Sequence, residues 1–141
     1  MDCVVDASVG IKVFIEEDMS DKATDLLGTT DGASARQVHV PDLFYTGCAN
    51  ILWKYILRFG YTLEAAQSNL RSLRSLPPLG TPSLSLLPGA LDLAVAHGIS
   101  IYDAIYAALA RHIGLPLVTA DDRLVRKLAG SDVAVVRLTD L

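Results

Sequence analysis

The chain has 141 residues, with 12 Lys and Arg against 16 Asp and Glu, for a formal charge of −4. It is 51% hydrophobic and 20% charged, which excludes a disordered chain and a generally basic nucleic-acid coat but leaves room for a basic patch. Ten glycines and six prolines are ordinary, so collagen-like and low-complexity readings fall, and the length fits a single domain over residues 1–141.

In chain order, Cys3-Val4-Val5 reads as a short buried strand ending at Asp6. A short helix to Phe14 follows, with Ser8 as its candidate cap. Ser20 to Leu27 is a second helix stopped by Gly28, and the small, polar stretch Thr29 to Arg36 is a loop. Val38-His39-Val40 is a strand ended by Pro41. Asp42 to Phe59 is a long helix with Gly60 as its stop, and its apolar stripe runs Phe44, Cys48, Ile51, Leu52, Tyr55, Ile56, Phe59. Thr62 starts a helix through Leu76, ended by Pro77-Pro78 and paired with its predecessor as a hairpin.

Leu84 to Leu87 is a weak strand or a loop. Pro88 suits the first turn of a helix that Gly98 ends, and Ser100 opens a helix through His112, stopped by Gly114. Leu117-Val118-Thr119 is a strand, Asp122 to Leu128 a short helix, and Val133 to Val136 the final strand. Short apolar strands alternating with helices give an α/β domain: a central, mainly parallel sheet of four or five strands flanked by helices.

Neither Cys3 nor Cys48 belongs to a CxxC pair, and both read as small buried hydrophobes. No basic run precedes an apolar run at the N-terminus, and no stretch approaches about 18 apolar residues. The expectation is a cytoplasmic protein with no membrane span.

In open parallel sheets, sites form at the carboxyl ends of strands. Asp6 lies there, as do Asp121 and Asp122, while Asp103 lies in the first turn of the helix opened by Ser100. Carboxylates that converge resist joint ionisation without a cation, and hard oxygen clusters suit Mg²⁺ or Mn²⁺ in phosphodiester hydrolysis. Each acid also has a plain structural role: Asp6 or Ser8 as a helix cap, Asp103 in a capping box with Ser100, and Asp122 as the N-cap of its helix. The joint pattern is more informative than any single member, and Asp6, at the end of a buried strand, is least explained by capping alone.

Val4-Val5-Asp6-Ala7-Ser8, Val40-Pro41-Asp42-Leu43, Tyr102-Asp103-Ala104-Ile105-Tyr106 and Thr119-Ala120-Asp121-Asp122-Arg123-Leu124 together resemble the PIN-domain family, and within it the VapC-type toxins. The resemblance implies a compact PIN-like α/β fold and Mg²⁺- or Mn²⁺-dependent cleavage of RNA, often tRNA or rRNA. It also implies homodimers and inhibition by a VapB-type antitoxin. By motif it carries catalytic and metal-holding roles to Asp6, Asp103 and Asp121, an auxiliary ligand role to Asp122, and hydroxyls near the metal to Ser8 and Thr119.

The sequence departs from the family at the second acid. A glutamate usually follows the Pro-Asp pair early in the long helix; here Gly47 stands at that place. At about 100° per residue, Gly47 sits just off the edge of the core stripe, and an interior glycine costs about 1 kcal/mol relative to alanine. Lys54 and Arg58 lie on the same flank and, with Arg123, are candidate RNA or phosphate contacts. Close packing at Gly47 and ordinary surface charge at the two bases is the plain alternative.

The favoured function is therefore a metal-dependent endoribonuclease impaired by Gly47. One competing reading is a catalytically inactive PIN-like module that binds RNA or antitoxin. Another is a haloacid-dehalogenase-like phosphatase, which wants a second aspartate where Ser8 stands.

Overall fold

The computed structural model of the chain describes residues 2–15, 18–27, 37–76 and 78–141. The expected loop from Thr29 to Arg36, and Gly28 and Pro77 as helix stops, fall outside the described residues. Among the described residues, five parallel strands form one sheet in the order β3-β2-β1-β4-β5. They are β1 (Cys3–Val5), β2 (Val38–Pro41), β3 (Leu79–Thr81), β4 (Leu117–Thr119) and β5 (Val135–Arg137). β1 and β4 are wholly buried, as central parallel strands covered on both faces must be.

The helices are α1 (Ala7–Gly10), α2 (Ser20–Leu27), α3 (Leu43–Phe59), α4 (Leu63–Leu73), α5 (Leu87–His97), α6 (Ile101–Ile113) and α7 (Asp122–Leu128). α6 is the central helix. Every residue from Ala104 to Ala110 is buried, and the helix touches β1, β2 and β4 on one side and α5 on another. A helix apolar nearly all round belongs inside a core, and its small alanines let those neighbours approach. Ser100 caps it by accepting the Asp103 N–H, and Gly114 ends it in the left-handed conformation. α3 and α4 pack as the expected hairpin, with Gly60 left-handed at the end of α3 and Thr62 capping α4.

Several boundaries move for local reasons. The helix after β1 stops at Gly10 and tightens into a 3₁₀ turn from Ile11 to Val13, and its cap is Asp6, not Ser8. Pro41 stays within β2, because the pairing with β1 has already ended at His39 and the missing N–H is not needed there. α4 ends at Leu73, with Ser75 and Leu76 closing short turns ahead of the prolines.

The region from Leu84 to Leu87 is not a strand. A 3₁₀ turn at Ser83–Leu86 runs into α5, tied back by the Ser83 N–H and hydroxyl donating to the Asp42 carboxylate. The strand lies earlier, at Leu79–Thr81, where pairing with β2 overrides the weak propensity of Leu-Gly-Thr. β5 begins at Val135, since Val133 is held in a turn by its N–H bond to the Ser131 hydroxyl. Cys3 and Cys48 are buried and form no disulfide. Among the described residues no single helix is long and apolar enough to cross a membrane.

Candidate active site

From β1 the chain moves outward through β2 to β3 on one side and later fills β4 and β5 on the other. The reversal lies between β1 and β4, and the carboxyl ends of those strands frame a cleft of about 660 Å³. Asp6, Ser8, Asp103 and Asp121 line it, together with Gly47 and Lys54. Three acids from distant segments thus reach one space.

Asp6 is the most constrained of them, only 6% exposed. The Ser8 hydroxyl donates to its Oδ1 and the Thr119 hydroxyl to its Oδ2, while the Val9 N–H reaches Oδ1 at 3.3 Å. Ser8 and Thr119 are held in turn. Ser8 Oγ accepts the Ala120 N–H at 3.1 Å, and Thr119 Oγ1 accepts the Asp121 N–H at 3.0 Å. Burial nevertheless outweighs these donors and raises the Asp6 carboxyl to about 6, with Asp103 adding a smaller push.

Asp103 is half-buried, and its carboxyl is raised first by burial and then by Asp121, with Ser100 and Arg123 pulling it back. The Asp121 Oδ1 caps α7, accepting N–H groups from Arg123 at 2.9 Å and Leu124 at 3.3 Å. The expectation of Asp122 as that cap is corrected: Asp121, the last residue before the helix, has the extended backbone a cap needs.

Asp122 is also not brought to the cleft. Its Oδ1 pairs with Arg137 Nε at 3.0 Å, and it lines a separate, smaller pocket with Lys12. Arg58 is exposed and does not line the cleft, whereas Arg123 stands close enough to act on Asp103.

Gly47 faces the cleft where α3 crosses α1. A Cβ built there would stand 3.1 Å from the Ala7 Cβ and 3.5 Å from the Tyr106 hydroxyl. Its place in the cleft wall and its close approach to α1 therefore coexist. Thr46, Asn50, Tyr102 and Tyr106 also line the cleft, and the sequence reading did not single them out. Their signal was spacing: Thr46, Asn50 and Lys54 recur every fourth residue on α3, and Tyr102 and Tyr106 do the same on α6. Tyr106 is buried, its oxygen receives the Ala7 N–H, and burial together with Asp6, Cys48 and Asp103 raises its phenol above the ordinary value. Burial, with a smaller contribution from Asp6, pushes the Cys48 thiol up to about 12, leaving it a protonated hydrophobe.

Among the described residues, no three acidic, histidine or cysteine side chains close into a ready-made metal cage. The donor chemistry still fits a hard divalent cation. Two of the three cleft carboxyls are raised, each by burial and then by a neighbouring carboxylate, Asp6 by Asp103 and Asp103 by Asp121, which a cation would relieve.

Residues 3–130 match the family model described as the PIN domain. The chain is 34% identical over 129 residues to Ribonuclease VapC3 of Pyrobaculum aerophilum, covering 90% of this chain and 95% of that protein. A crystal structure of a protein from Pyrobaculum aerophilum superposes with a TM-score of 0.64 at 26% identity, over 99% of this chain and 92% of that one. A chain of a toxin–antitoxin complex from Klebsiella pneumoniae gives a TM-score of 0.69 at 16% identity over 99% of this chain and 100% of that one, a likeness of fold.

Proposed function

The chain belongs to the PIN domain family, and from that premise we propose that it is a metal-dependent endoribonuclease of the VapC toxin type, cleaving tRNA or other structured RNA and weakened by Gly47. One observation carries the reading: Asp6, Asp103 and Asp121, far apart in sequence, line a single cleft at the reversal of the sheet. The family match sets the phosphatase reading aside.

In this reading Asp6, Asp103 and Asp121 would hold Mg²⁺ or Mn²⁺. When bound, the cation supplies the positive charge that lets these carboxylates ionise together and the Lewis acidity that phosphodiester hydrolysis needs. Ser8, Thr119 and the Val9 N–H fix the Asp6 carboxylate in one orientation, so it meets its ligand without rearrangement. Lys54 in the cleft wall and Arg123 beside Asp103 present positive charge to the substrate phosphates. No covalent protein intermediate is required.

The expected partners are RNA, a VapB-type antitoxin and a second copy of the chain, in the cytoplasm. The side-chain-free wall at Gly47 favours one second reading, a module that binds RNA or antitoxin without cutting.

The test is cleavage of total tRNA with Mg²⁺ or Mn²⁺ by this chain and by its Gly47→Glu and Asp6→Asn versions. Cutting that needs metal and Asp6, and that rises in Gly47→Glu, is the expected result. No cutting by any folded version would overturn it in favour of the binding module.

A further inference from the structure

Tyr102 and Tyr106 lie one turn apart on the same face of α6, and both line the cleft. Tyr106 is 5% exposed and belongs to the core, whereas Tyr102 is 65% exposed. Among the described residues, Tyr102 packs in neither apolar cluster and pairs with no other ring. The fold therefore does not account for its side chain.

A single exposed tyrosine is ordinary on a protein surface, and it is the place of this one that sets it apart. Among the described residues it is the one large, exposed apolar side chain in the cleft wall; others, such as Trp53 and Phe59, lie elsewhere. It also directly precedes Asp103, so its Cα stands about 3.8 Å from that of a proposed cation-holding acid. A nucleotide whose phosphate sits over the acids brings its base to the surrounding wall. There Lys54 meets charge, while the uncharged ring of Tyr102 suits the one flat apolar surface a nucleotide has, the face of its base.

We infer that Tyr102 is a positioning residue whose ring stacks on the base of a nucleotide next to the phosphate to be cut. The inference rests on the nuclease reading of the cleft and deepens it. The ring aligns the strand over Asp6, Asp103 and Asp121 and takes no part in bond cleavage. Because every base has such a face, the contact tolerates different sequences.

The probe is a short single-stranded RNA carrying 2-aminopurine at one position in turn. It is bound in Ca²⁺, a hard cation for the same oxygen ligands, with strand integrity checked on a denaturing gel. The proteins are this chain and its Tyr102→Phe, Tyr102→Trp, Tyr102→Leu and Tyr102→Ala versions. This chain and the Phe and Trp versions should quench the fluorescence at one position, and the Leu and Ala versions should not. Tyr102→Ala should weaken binding about tenfold, the scale of one base–aromatic stack, with its melting temperature unchanged. An abasic site at the quenched position should weaken binding to this chain by the same factor and to Tyr102→Ala no further.

A Tyr102→Phe version that behaves like Tyr102→Ala would assign the effect to the hydroxyl, and a Tyr102→Leu version that behaves like this chain would assign it to apolar bulk; either overturns the inference. So does unchanged RNA binding, or a lowered melting temperature, in Tyr102→Ala. In each of these cases, RNA cleavage that needs metal and Asp6 leaves the nuclease reading standing. Absence of RNA binding by every folded version would overturn that reading, and this inference with it.

Discussion

Thr119, at the end of β4, donates its hydroxyl proton to the carboxylate of Asp6, at the end of β1, joining two adjacent strands across 113 positions of sequence. The bond is buried and favours the ionised carboxylate, opposing the burial that disfavours it. Thr119→Val keeps the shape and removes the donor. It should destabilise the fold by about 1–3 kcal/mol at neutral pH, because a buried acceptor loses its partner. The cost should shrink at pH 5, where Asp6 is largely protonated. Chemical denaturation at the two pH values checks it; an equal cost at both would contradict the assignment.

Asp6 gives the fold a definite pH dependence. Its carboxyl is raised from 3.8 to about 6, so between these values the folded chain holds a proton that the unfolded chain has lost. Stability from this group is therefore complete below about pH 3.8 and is lost as pH rises through about 6, on the order of 3 kcal/mol in all. Asp103 is shifted in the same direction. In chelator the melting temperature should fall by several degrees between pH 4 and 7, and Asp6→Asn should flatten that fall. Mg²⁺ should recover stability at pH 7 in this chain and not in Asp6→Asn. A flat profile for the unmodified chain would refute the account.

Gly10 and Gly47 mark the crossing of α1 and α3, and they should respond differently to alanine. A Cβ at Gly10 would stand 2.5 Å from Phe44 Cζ, inside the core, whereas at Gly47 the nearest contact is 3.1 Å, to the Ala7 methyl carbon. Gly10→Ala should cost about 1–3 kcal/mol by overpacking. Gly47→Ala should lie near neutral, since a gain of up to about 1 kcal/mol in helix propensity offsets a small shift of Ala7. Thermal denaturation of both variants decides it. Equal losses would mean that Gly47 serves packing alone.

How much of this was legible in the sequence depended on where the information sits. Helices with local punctuation, such as Thr62, Ser100, Gly60, Gly98 and Gly114, were readable because capping acts within one turn. β3 was not, because Leu79-Gly80-Thr81 becomes a strand only by pairing with β2, nearly forty positions upstream. The sequence reading placed Asp6, Asp103 and Asp121 together through strand ends and motif, and they share the cleft. It missed Tyr106, whose periodicity reads as core. Asp122 was misplaced because adjacent acids look equivalent in sequence, while a one-residue step at a helix start sends the second side chain toward Arg137.

That last correction has its own consequence. Asp122 and Arg137 form an exposed pair outside the cleft. Asp122→Asn should change stability by less than about 1 kcal/mol and leave metal-dependent cleavage near the level of the unmodified chain, while Asp103→Asn should abolish most of it. A loss in Asp122→Asn comparable to that in Asp103→Asn would return Asp122 to the site.

A second copy of the chain, one of the proposed partners, has a surface suited to it. Leu84, Leu91 and Val95 are 79%, 59% and 80% exposed, and with Leu87 they form one apolar stripe along the 3₁₀ turn and α5. Ala90 and Leu93 of the same helix face inward and are buried. A helix that is apolar on its inner face, packed on α6, and also carries a continuous outer stripe offers a second apolar face, which the proposed dimer would cover. The double change Leu91→Ser and Val95→Ser should convert a dimer into a monomer in sedimentation velocity, with little effect on melting because neither side chain is part of the core. An unmodified chain that sediments as a monomer at tens of micromolar, or a double variant that stays dimeric, would remove α5 as the interface.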